Sequence, residues 1–139
     1  MKIKKIFITG VAGFIGFSLS LELLKKKYII YGIDNLDNYY SLKLKKKRLN
    51  ILKSYKNFKF QNIDISKKKK LNDYLKNKKF NVIFHLAAQA GVRYSIINPK
   101  KYINSNYKGF RNLLNCFKKK KFNTFFYASS SSVYGDTKI

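Results

Sequence analysis

The stretch ITGVAGFIG constrains the fold of this chain more than any other feature. Its glycines, Gly10, Gly13 and Gly16, follow an apolar run, Lys4 to Ile8, that is typical of a buried strand. The residues from Phe14 to Lys26 place leucines at helical spacing. Glycines between a strand and a helix allow a tight turn and a close approach of a phosphate, which the helix N-terminus attracts. The stretch therefore predicts a phosphate-binding turn between a strand and a helix.

Strand-like and helix-like segments alternate along the rest of the chain. Further strands are predicted at Tyr28–Ile33, Phe58–Gln61, Val82–Leu86 and Phe122–Ala128, and further helices at Leu42–Ser54, Lys68–Lys76 and Pro99–Phe117. This alternation is typical of parallel strands joined by right-handed helical crossovers. With no internal repeat and no linker, the sequence predicts one α/β domain over residues 1–139, a doubly wound parallel sheet of the Rossmann type.

A carboxylate follows the second predicted strand. Asp34 lies 18 residues after Gly16 in the chain. A carboxylate at this place in a dinucleotide-binding fold accepts hydrogen bonds from the ribose hydroxyls of NAD and repels the 2′-phosphate of NADP. The alternative is a surface aspartate after a tight turn in a protein that binds no nucleotide. The combination of strand, glycines, helix and carboxylate favours NAD.

The net charge is extreme, because 31 Lys and Arg residues stand against 6 Asp and Glu residues, a formal charge of +25. Such a charge is typical of proteins that bind polyanions. It also follows from a genome rich in A and T, since Lys, Asn, Ile, Tyr and Phe are abundant while Pro occurs once and Trp never. Either origin predicts weak attraction to polyanions. A specific nucleic-acid partner is not expected.

The cellular compartment is indicated by residue usage. Hydrophobic residues make up 45% of the chain, which excludes a disordered tail. The single cysteine, Cys116, excludes an internal disulfide and fits a reducing compartment. No apolar run approaches the ~20 residues that span a bilayer. We therefore expect a cytoplasmic protein without a membrane partner, and we assign no metal site.

Several separated motifs resemble one family of enzymes. TGVAGFIG, IDNLDNYY, FHLAAQAGVRYS and YASSSSVYG resemble, in this order, the extended short-chain dehydrogenase/reductase group, the NAD-dependent sugar-nucleotide epimerases and dehydratases. Within that group, DNLDNYYSLKLKKKRL and HLAAQAGVRYS most resemble the UDP-glucuronate 4-epimerases. The resemblance covers nearly the whole chain. It implies an isomerase that epimerises a UDP-sugar through transient oxidation at C4 by bound NAD.

The resemblance also implies a cofactor site. The family's pyrophosphate-binding positions fall on Gly10, Gly13, Phe14, Ile15 and Gly16, its ribose-binding positions on Asp34 and Asn35, its adenine-flanking pair on Asp64 and Ile65, and its cofactor-lining segment on Leu86, Ala87 and Ala88. Asn106 matches a buried polar residue that supports this lining segment. From the residues alone, a structural role is as compatible with each residue as a cofactor role. Asp64 would then be a residue at a helix N-terminus, and Asn106 a hydrogen-bonded polar group in a helix.

The family's catalytic hydroxyl, which hydrogen-bonds the reacting sugar hydroxyl, falls on Ser130, and Ser131 and Ser132 beside it are expected to contact the substrate. Arg93, expected on the loop after the fourth strand, could bind a substrate carboxylate or phosphate through paired hydrogen bonds. A surface role is equally open for Arg93. His85 lies within the predicted strand and is expected to be a residue at the edge of the core rather than a catalyst.

Tyr134 and Lys138 have the Y-x-x-x-K spacing of the group's catalytic pair. That pair needs one helix face, whereas the intervening Gly135, Asp136 and Thr137 are turn residues. The match is therefore interpreted as a coincidence, and the resemblance places the true pair beyond Ile139. We expect residues 1–139 to be an incomplete domain without the catalytic Tyr and Lys or the C-terminal substrate domain, inactive unless a separately encoded half supplies them. A degenerate inactive product and a polyanion-binding protein that reuses the scaffold are the alternatives.

The fifth predicted strand carries aromatic residues at Phe122, Phe125, Phe126 and Tyr127. In a doubly wound sheet, helices cover both faces of every central strand, and no further helix is predicted after this strand. The sequence therefore predicts exposed aromatic surface beside an unpaired strand edge, and self-association through it.

Overall fold

The computed structural model describes residues 4–135 and contains a five-stranded sheet. The strands are β1 (Lys5–Thr9), β2 (Ile29–Asp34), β3 (Phe58–Asn62), β4 (Val82–His85) and β5 (Thr124–Tyr127). They lie in the order β3-β2-β1-β4-β5, and every pairing is parallel. The predicted doubly wound parallel sheet is therefore confirmed, with β1 in its centre.

Helices connect the strands. They are α1 (Phe14–Lys25), α2 (Leu42–Lys53), α3 (Lys68–Leu75), α4 (Val92–Ile97), α5 (Pro99–Tyr102) and α6 (Phe110–Phe117). A π-helical segment, Ile103–Gly109, joins α5 to α6, and a 3-10 turn, Ser131–Tyr134, follows β5. The long helix predicted from Pro99 is therefore present, but its middle is wound more widely than an α-helix. Helix α4 was not predicted.

Both faces of the sheet are covered by helices, which explains why β1 is apolar along its length. Side chains Ile6 and Ile8 pack towards α1 and α2, in a core that includes Leu24 and Leu52. Phe7 points to the other face, in a core built with α3 and α6 whose members include Ile33, Leu71, Leu75, Leu113 and Phe117. Cys116 also belongs to this second core.

The segment around Gly109 brings the helical layer close to the loop after β3. A Cβ atom on Gly109 would lie 2.6 Å from Cγ1 of Ile65, so a larger residue would push the two segments apart. One turn further on, Asn112 donates from Nδ2 to the backbone oxygens of Ile65 and Ser66, at 3.1 Å each. These contacts fix one side of the groove described below.

No helix within residues 4–135 has the length and apolar character needed to cross a bilayer.

Strand β5 lies at the end of the described sheet and exposes aromatic side chains. Phe126 stacks on Phe84 with ring centroids 4.9 Å apart, yet it remains 50% exposed. Tyr127 is 59% exposed on the other face, where Phe125 is partly buried against the core of α6. The exposed aromatic surface expected for this strand is therefore present in the described part of the chain.

We predict that the protein self-associates through β5 and that added salt strengthens the association. The charge of +25 keeps molecules apart, and salt screens this repulsion. Light scattering across a salt series should show a rising mass, and Phe126→Ser should lower it. Ile51→Ser, which removes a similarly exposed side chain from α2 (47% exposed), should not. A monomer with a cooperative melt in moderate salt and no binding of a hydrophobic dye would contradict the prediction.

Candidate functional site

The turn after β1 depends on two glycines at its points of closest contact. Gly10 has a φ of +75°, and a Cβ atom on it would lie 2.8 Å from the backbone nitrogen of Ala87. A Cβ atom on Gly16 would overlap the carbonyl oxygen of Gly10. The absence of side chains therefore lets β1, the first turn of α1 and the segment after β4 meet backbone to backbone.

Asp34, at the end of β2, holds this turn in place. Its carboxylate accepts one hydrogen bond from the backbone nitrogen of Ala12 at 3.0 Å and another from that of Leu36 at 2.8 Å. The residue is 7% exposed, and it also lines the groove at this edge of the sheet. Asp34 is thus both a structural anchor for the glycine turn and a carboxylate that a bound molecule can reach.

The N-terminus of α1 presents free backbone donors. Gly13 at the N-cap has no side chain to accept from the first-turn N–H groups, and the first turn holds no acidic residue. Phe14 and Ile15 in this turn are 72% and 61% exposed, so the turn is open to solvent. An uncapped helix end of this kind attracts an anion through its N–H groups and the helix dipole.

A buried hydroxyl joins the ends of β1 and β4. Oγ1 of Thr9 accepts from the backbone nitrogens of Leu86 and Ala87, at 3.2 and 3.1 Å. Its two lone pairs are then used, so its own proton is donated to Nδ1 of His85 at 2.8 Å. The imidazole is therefore neutral with its proton on Nε2, and burial lowers the pKa of His85 to about 4. His85 is a core residue, as its position within the strand indicated.

The carboxyl ends of the strands surround a groove of about 350 Å³. Nine of the thirteen expected cofactor residues line it: Gly10, Gly13, Asp34, Asn35, Asp64, Ile65, Leu86, Ala87 and Ala88. The other four do not line it. Gly16 packs against the backbone of Gly10, Phe14 and Ile15 lie on the first turn of α1, and Asn106 is hydrogen-bonded to the groove residue Gln89. One continuous groove therefore connects most of the positions that the resemblance selected.

The wall after β3 is shaped by Asp64. Its Oδ1 accepts from the backbone nitrogen of Ser66 at 2.8 Å, which forms a tight turn before α3. The two interpretations of Asp64 are therefore compatible, because the residue both stabilises this turn and lines the groove.

Asn106 supports the wall after β4 through paired hydrogen bonds. Its Oδ1 accepts from the backbone nitrogen of Gln89 at 2.7 Å, and its Nδ2 donates to the backbone oxygen of Gln89 at 3.0 Å. The expectation that Asn106 is buried was wrong, because it lies exposed on the π-helical segment. Its supporting contact does not require burial, since both amide atoms are paired with one backbone unit.

An ion pair crosses the mouth of the groove. Nζ of Lys101 lies 3.1 Å from Oδ2 of Asp37, and the two side chains are 32% and 27% exposed. Lys45, from α2, donates to the backbone oxygen of Asp37 at 2.7 Å. We call the Asp37–Lys101 pair the groove clasp. It joins the loop after β2 to α5, and all three residues line the groove.

Tyrosines reinforce the groove clasp. The rings of Tyr39 and Tyr94 lie 5.0 Å apart, and Tyr102 lies 6.3 Å from Tyr94. The hydroxyl of Tyr102 contacts the backbone oxygens of Ala90 and Gly91, before α4. Sequence reasoning missed the groove clasp and these tyrosines because their partners are far apart in the chain. The paired tyrosines of DNYYS, at a strand end, were the available signal.

The remaining expected residues lie outside the groove. Arg93 was expected on a loop but lies exposed on α4, because the residues after Gly91 form a short helix. Ser130 is the N-cap of the 3-10 turn, where its Oγ accepts from the backbone nitrogen of Ser132 at 3.2 Å. Ser131 and Ser132 belong to that turn, and all three serines are exposed.

The Y-x-x-x-K match falls only partly within the described residues. Tyr134 is the last residue of the 3-10 turn, and Gly135 after it has a φ of +64°, which ends the turn. Lys138 lies outside the described residues. The expected turn at this place is present as far as Gly135.

The fold and the groove at its carboxyl edge define a Rossmann-type domain. Residues 7–139 match the sequence model described as GDP-mannose 4,6 dehydratase, and the chain belongs to that family. The predicted membership of the epimerase and dehydratase group is therefore confirmed.

Individual relatives agree with this assignment. The chain is 49% identical to an uncharacterised protein of Methanocaldococcus jannaschii over 137 residues, which cover 97% of this chain and 42% of that protein. It is 43% identical to the UDP-glucuronate 4-epimerase of Thermodesulfobacterium geofontis over 127 residues, 91% of this chain and 39% of the relative. The chain thus spans about two fifths of the length of the curated relatives it matches.

A solved structure has the same fold. The UDP-glucuronic acid 4-epimerase of Bacillus cereus, in complex with UDP-glucuronic acid and NAD, superposes with a TM-score of 0.86 at 36% identity. The match covers 96% of this chain and 42% of the Bacillus chain. The described sheet therefore corresponds to part of a larger fold in that enzyme.

We predict that His85 stays neutral well below the ordinary pKa of an imidazole. In the unfolded chain His85 binds a proton near pH 6.5, whereas in the folded chain it does so near pH 4. The unfolded state is therefore favoured, and the free energy of unfolding falls, as the pH drops between these values. From pH 7 to 5 this loss is about 2 kcal/mol. His85 is the only histidine, so its proton resonance in NMR gives the pKa directly, and His85→Phe should remove this part of the pH dependence. A resonance that titrates near pH 6.5 would contradict the prediction.

We predict that the groove clasp couples its two elements energetically. A double-mutant cycle of Asp37→Asn and Lys101→Gln, followed by thermal unfolding at low salt, should show coupling. The control cycle uses Glu22 and Lys25, an ion pair within α1 whose side chains are 62% and 53% exposed. Because water screens the control pair more strongly, its coupling should be smaller. Equal coupling in the two cycles would show that the groove clasp is an ordinary surface pair.

Proposed function

We propose that this chain is the NAD-binding part of a sugar-nucleotide 4-epimerase of the UDP-glucuronate/UDP-galacturonate type. The observation that carries the proposal is the groove, in which a glycine turn without side chains meets the Asp34 carboxylate at the end of β2. The relatives support it, since the Bacillus enzyme was solved with NAD and UDP-glucuronic acid. Residues 1–139 would then form one NAD-binding domain that is completed by other residues.

The described residues fit NAD. The first-turn N–H groups of α1, with Gly10 and Gly13 beside them, would bind the diphosphate, because neither glycine carries a side chain and no side chain caps the helix. Asp34 and Asn35 would bind the adenosine ribose, Asp64 and Ile65 would flank the adenine, and residues 86–88 would line the far side. Bound NAD would supply a hydride acceptor that takes the hydride from C4 of the sugar and returns it to the other face.

The substrate would be a UDP-sugar held beyond the groove. Ser130 would hydrogen-bond the reacting sugar hydroxyl, and Ser131 and Ser132 would contact the sugar from the same exposed turn. Arg93 would address a carboxylate or phosphate from the exposed surface of α4, because a guanidinium forms paired hydrogen bonds with either group. The exposure of these four residues leaves them accessible to a substrate.

The chemistry would need groups beyond this chain. In the family it resembles, a tyrosinate removes the hydroxyl proton and a lysine lowers the pKa of that tyrosine. We propose that the catalytic Tyr and Lys and the sugar-nucleotide domain are contributed by residues other than 1–139, such as a separately encoded C-terminal half. The chain alone would then bind NAD without turning over substrate, and its place of action would be the cytoplasm.

Calorimetry with NAD separates this proposal from its alternatives. A degenerate product without a working site and a polyanion-binding protein that reuses the scaffold would both fail to bind NAD. Saturable binding with one NAD per chain supports the proposal, and a lack of binding by folded protein would overturn it.

We predict that the chain prefers NAD to NADP and that Asp34 sets this preference. Each hydrogen bond from a ribose hydroxyl to the carboxylate contributes roughly 1.5–3 kcal/mol. Asp34→Ala should therefore weaken NAD binding by at least about tenfold and raise the affinity for NADP relative to NAD. Asp73→Ala, which removes an exposed carboxylate on α3, should change neither affinity.

The ratio of the two affinities is the decisive measurement. Asp34 also accepts hydrogen bonds from Ala12 and Leu36, so a weaker affinity for NAD alone could come from a displaced turn. A displaced turn would weaken both cofactors alike, whereas loss of ribose recognition changes their ratio. Equal affinity for NAD and NADP in the unmutated chain would overturn the assignment of Asp34.

A further inference from the structure

Lysines gather at one edge of the sheet. In a parallel sheet, every connection from a helix to the next strand runs at the amino edge, where the strands begin. In this chain those connections are residues 26–28, 54–57, 76–81 and 118–123. They hold ten lysines, which we call the lysine edge: Lys26, Lys27, Lys56, Lys76, Lys78, Lys79 and residues 118–121.

The connections at the opposite edge hold almost no lysine. Here the chain runs from each strand to the next helix, or from β5 to its 3-10 turn. These connections contain a single lysine, Lys67, and comprise residues 10–13, 35–41, 63–67, 86–91 and 128–130. A codon bias acts on both sets of connections alike, so it does not account for the difference. The helix dipole favours cations in the last turn of a helix, but Lys79 and Lys121 lie several residues beyond the ends of α3 and α6.

Two lysines of the edge have structural partners. Nζ of Lys78 donates to the backbone oxygen of Tyr74 at 2.6 Å, and that of Lys120 donates to the backbone oxygens of Leu75 and Lys76. Both side chains are half-buried, and Lys120 fastens the end of α6 to the end of α3. These two cations stabilise the fold and are not available to a ligand.

The other eight lysines of the edge are exposed and have no carboxylate partner among residues 4–135. The ion pairs described in that range are Lys25 with Glu22 and Lys101 with Asp37, and neither pair includes a lysine of the edge. At the opposite edge, three carboxylates (Asp34, Asp37 and Asp64) line the groove together with three lysines (Lys45, Lys67 and Lys101), so positive charge is balanced there. The positive charge of the amino edge is therefore concentrated and uncompensated in the described part of the chain.

We propose that the lysine edge binds the phosphate backbone of nucleic acids without sequence preference. Five strands about 4.8 Å apart give an edge about 19 Å long. A duplex carries one negative charge per about 1.7 Å of its axis, so the exposed lysines match several phosphates over that length. The proposal does not depend on the cofactor, because the groove lies at the opposite end of the strands.

Exposed apolar side chains, which a lipid surface would require, are scarce at this edge. Binding in a membrane interface combines basic residues with apolar side chains that enter the lipid. Among the same connections, Phe80 is buried, Tyr28 and Tyr55 are half-buried, and Phe122 is 38% exposed with its ring against Phe117. Phosphate recognition by lysine alone fits this surface better than insertion does.

Fluorescence anisotropy with a labelled duplex and a labelled single strand of mixed sequence tests the proposal. The edge variant changes Lys79, Lys118, Lys119 and Lys121 to Gln, which leaves Lys78 and Lys120 in place. The matched control changes Lys43, Lys46, Lys47 and Lys69 to Gln, all exposed on α2 and α3, and has the same net charge. Thermal melts establish that both variants are folded.

The edge variant should bind at least about tenfold more weakly than the control at 0.1 M salt. Each phosphate contact contributes about 0.9 to the slope of log K against log salt, so the loss of four contacts should make the slope of the edge variant shallower by up to about 3.6. Equal losses in the two variants would show that only net charge matters and would overturn the proposal. Undetectable binding of the unmutated chain near 0.15 M salt would also overturn it. A third contradicting result would be that the unmutated chain binds phosphatidylserine vesicles as tightly as nucleic acid and that the edge variant loses both kinds of binding to the same extent.

Discussion

The close approach of three backbone segments around Gly10 is the constraint on which the rest of this structure depends. Gly10 lies between the first turn of α1, through Gly16, and the segment after β4, through Ala87. If either glycine carried a Cβ atom, α1 would move away from β1 or β4 would separate from it. The hydroxyl of Thr9 stabilises the same junction, because its oxygen accepts hydrogen bonds from the backbone nitrogens of Leu86 and Ala87. The groove is the space that this packing leaves open.

The two edges of the sheet are electrostatically different, and the topology explains how one sequence achieves this. In the proposed cofactor site, the turn after β1 would bind the diphosphate through backbone N–H groups and a helix N-terminus, so the turn itself would need no lysine. Asp34 and Asp37 place carboxylates at the same edge, where one orders the glycine turn and the other pairs with Lys101. Ten further lysines lie in the connections at the amino edge, at the other end of the strands from the carboxylates of the groove.

Local patterns predicted the elements, and long-range contacts explain what the sequence did not reveal. Strand and helix positions followed from apolar periodicity, and the glycine turn with Asp34 marked the groove because both lie at fixed offsets from strand ends. Helix α4 was missed because it begins directly after Gly91, in a stretch that was assigned as a loop from its place after β4. The groove clasp was missed because Asp37 and Lys101 are 64 residues apart and no local pattern pairs them. The burial of Asn106 was wrong because a family position indicates a contact, here with Gln89, but not the solvent exposure around it.

The residues that line the groove and the serines that are expected to contact the substrate lie in different parts of the chain. Every residue that lines the groove lies between Gly10 and Ser105, whereas the serine turn follows β5. The turn, the carboxylate and both walls of the groove are therefore held by contacts inside residues 4–135. Ser130, by contrast, forms side-chain hydrogen bonds only within its own turn among residues 4–135, and under the proposed function its hydroxyl would act only with a substrate and a base opposite it. Under the proposed function, cofactor affinity would for this reason be a property of these residues, while catalysis would also depend on groups outside them.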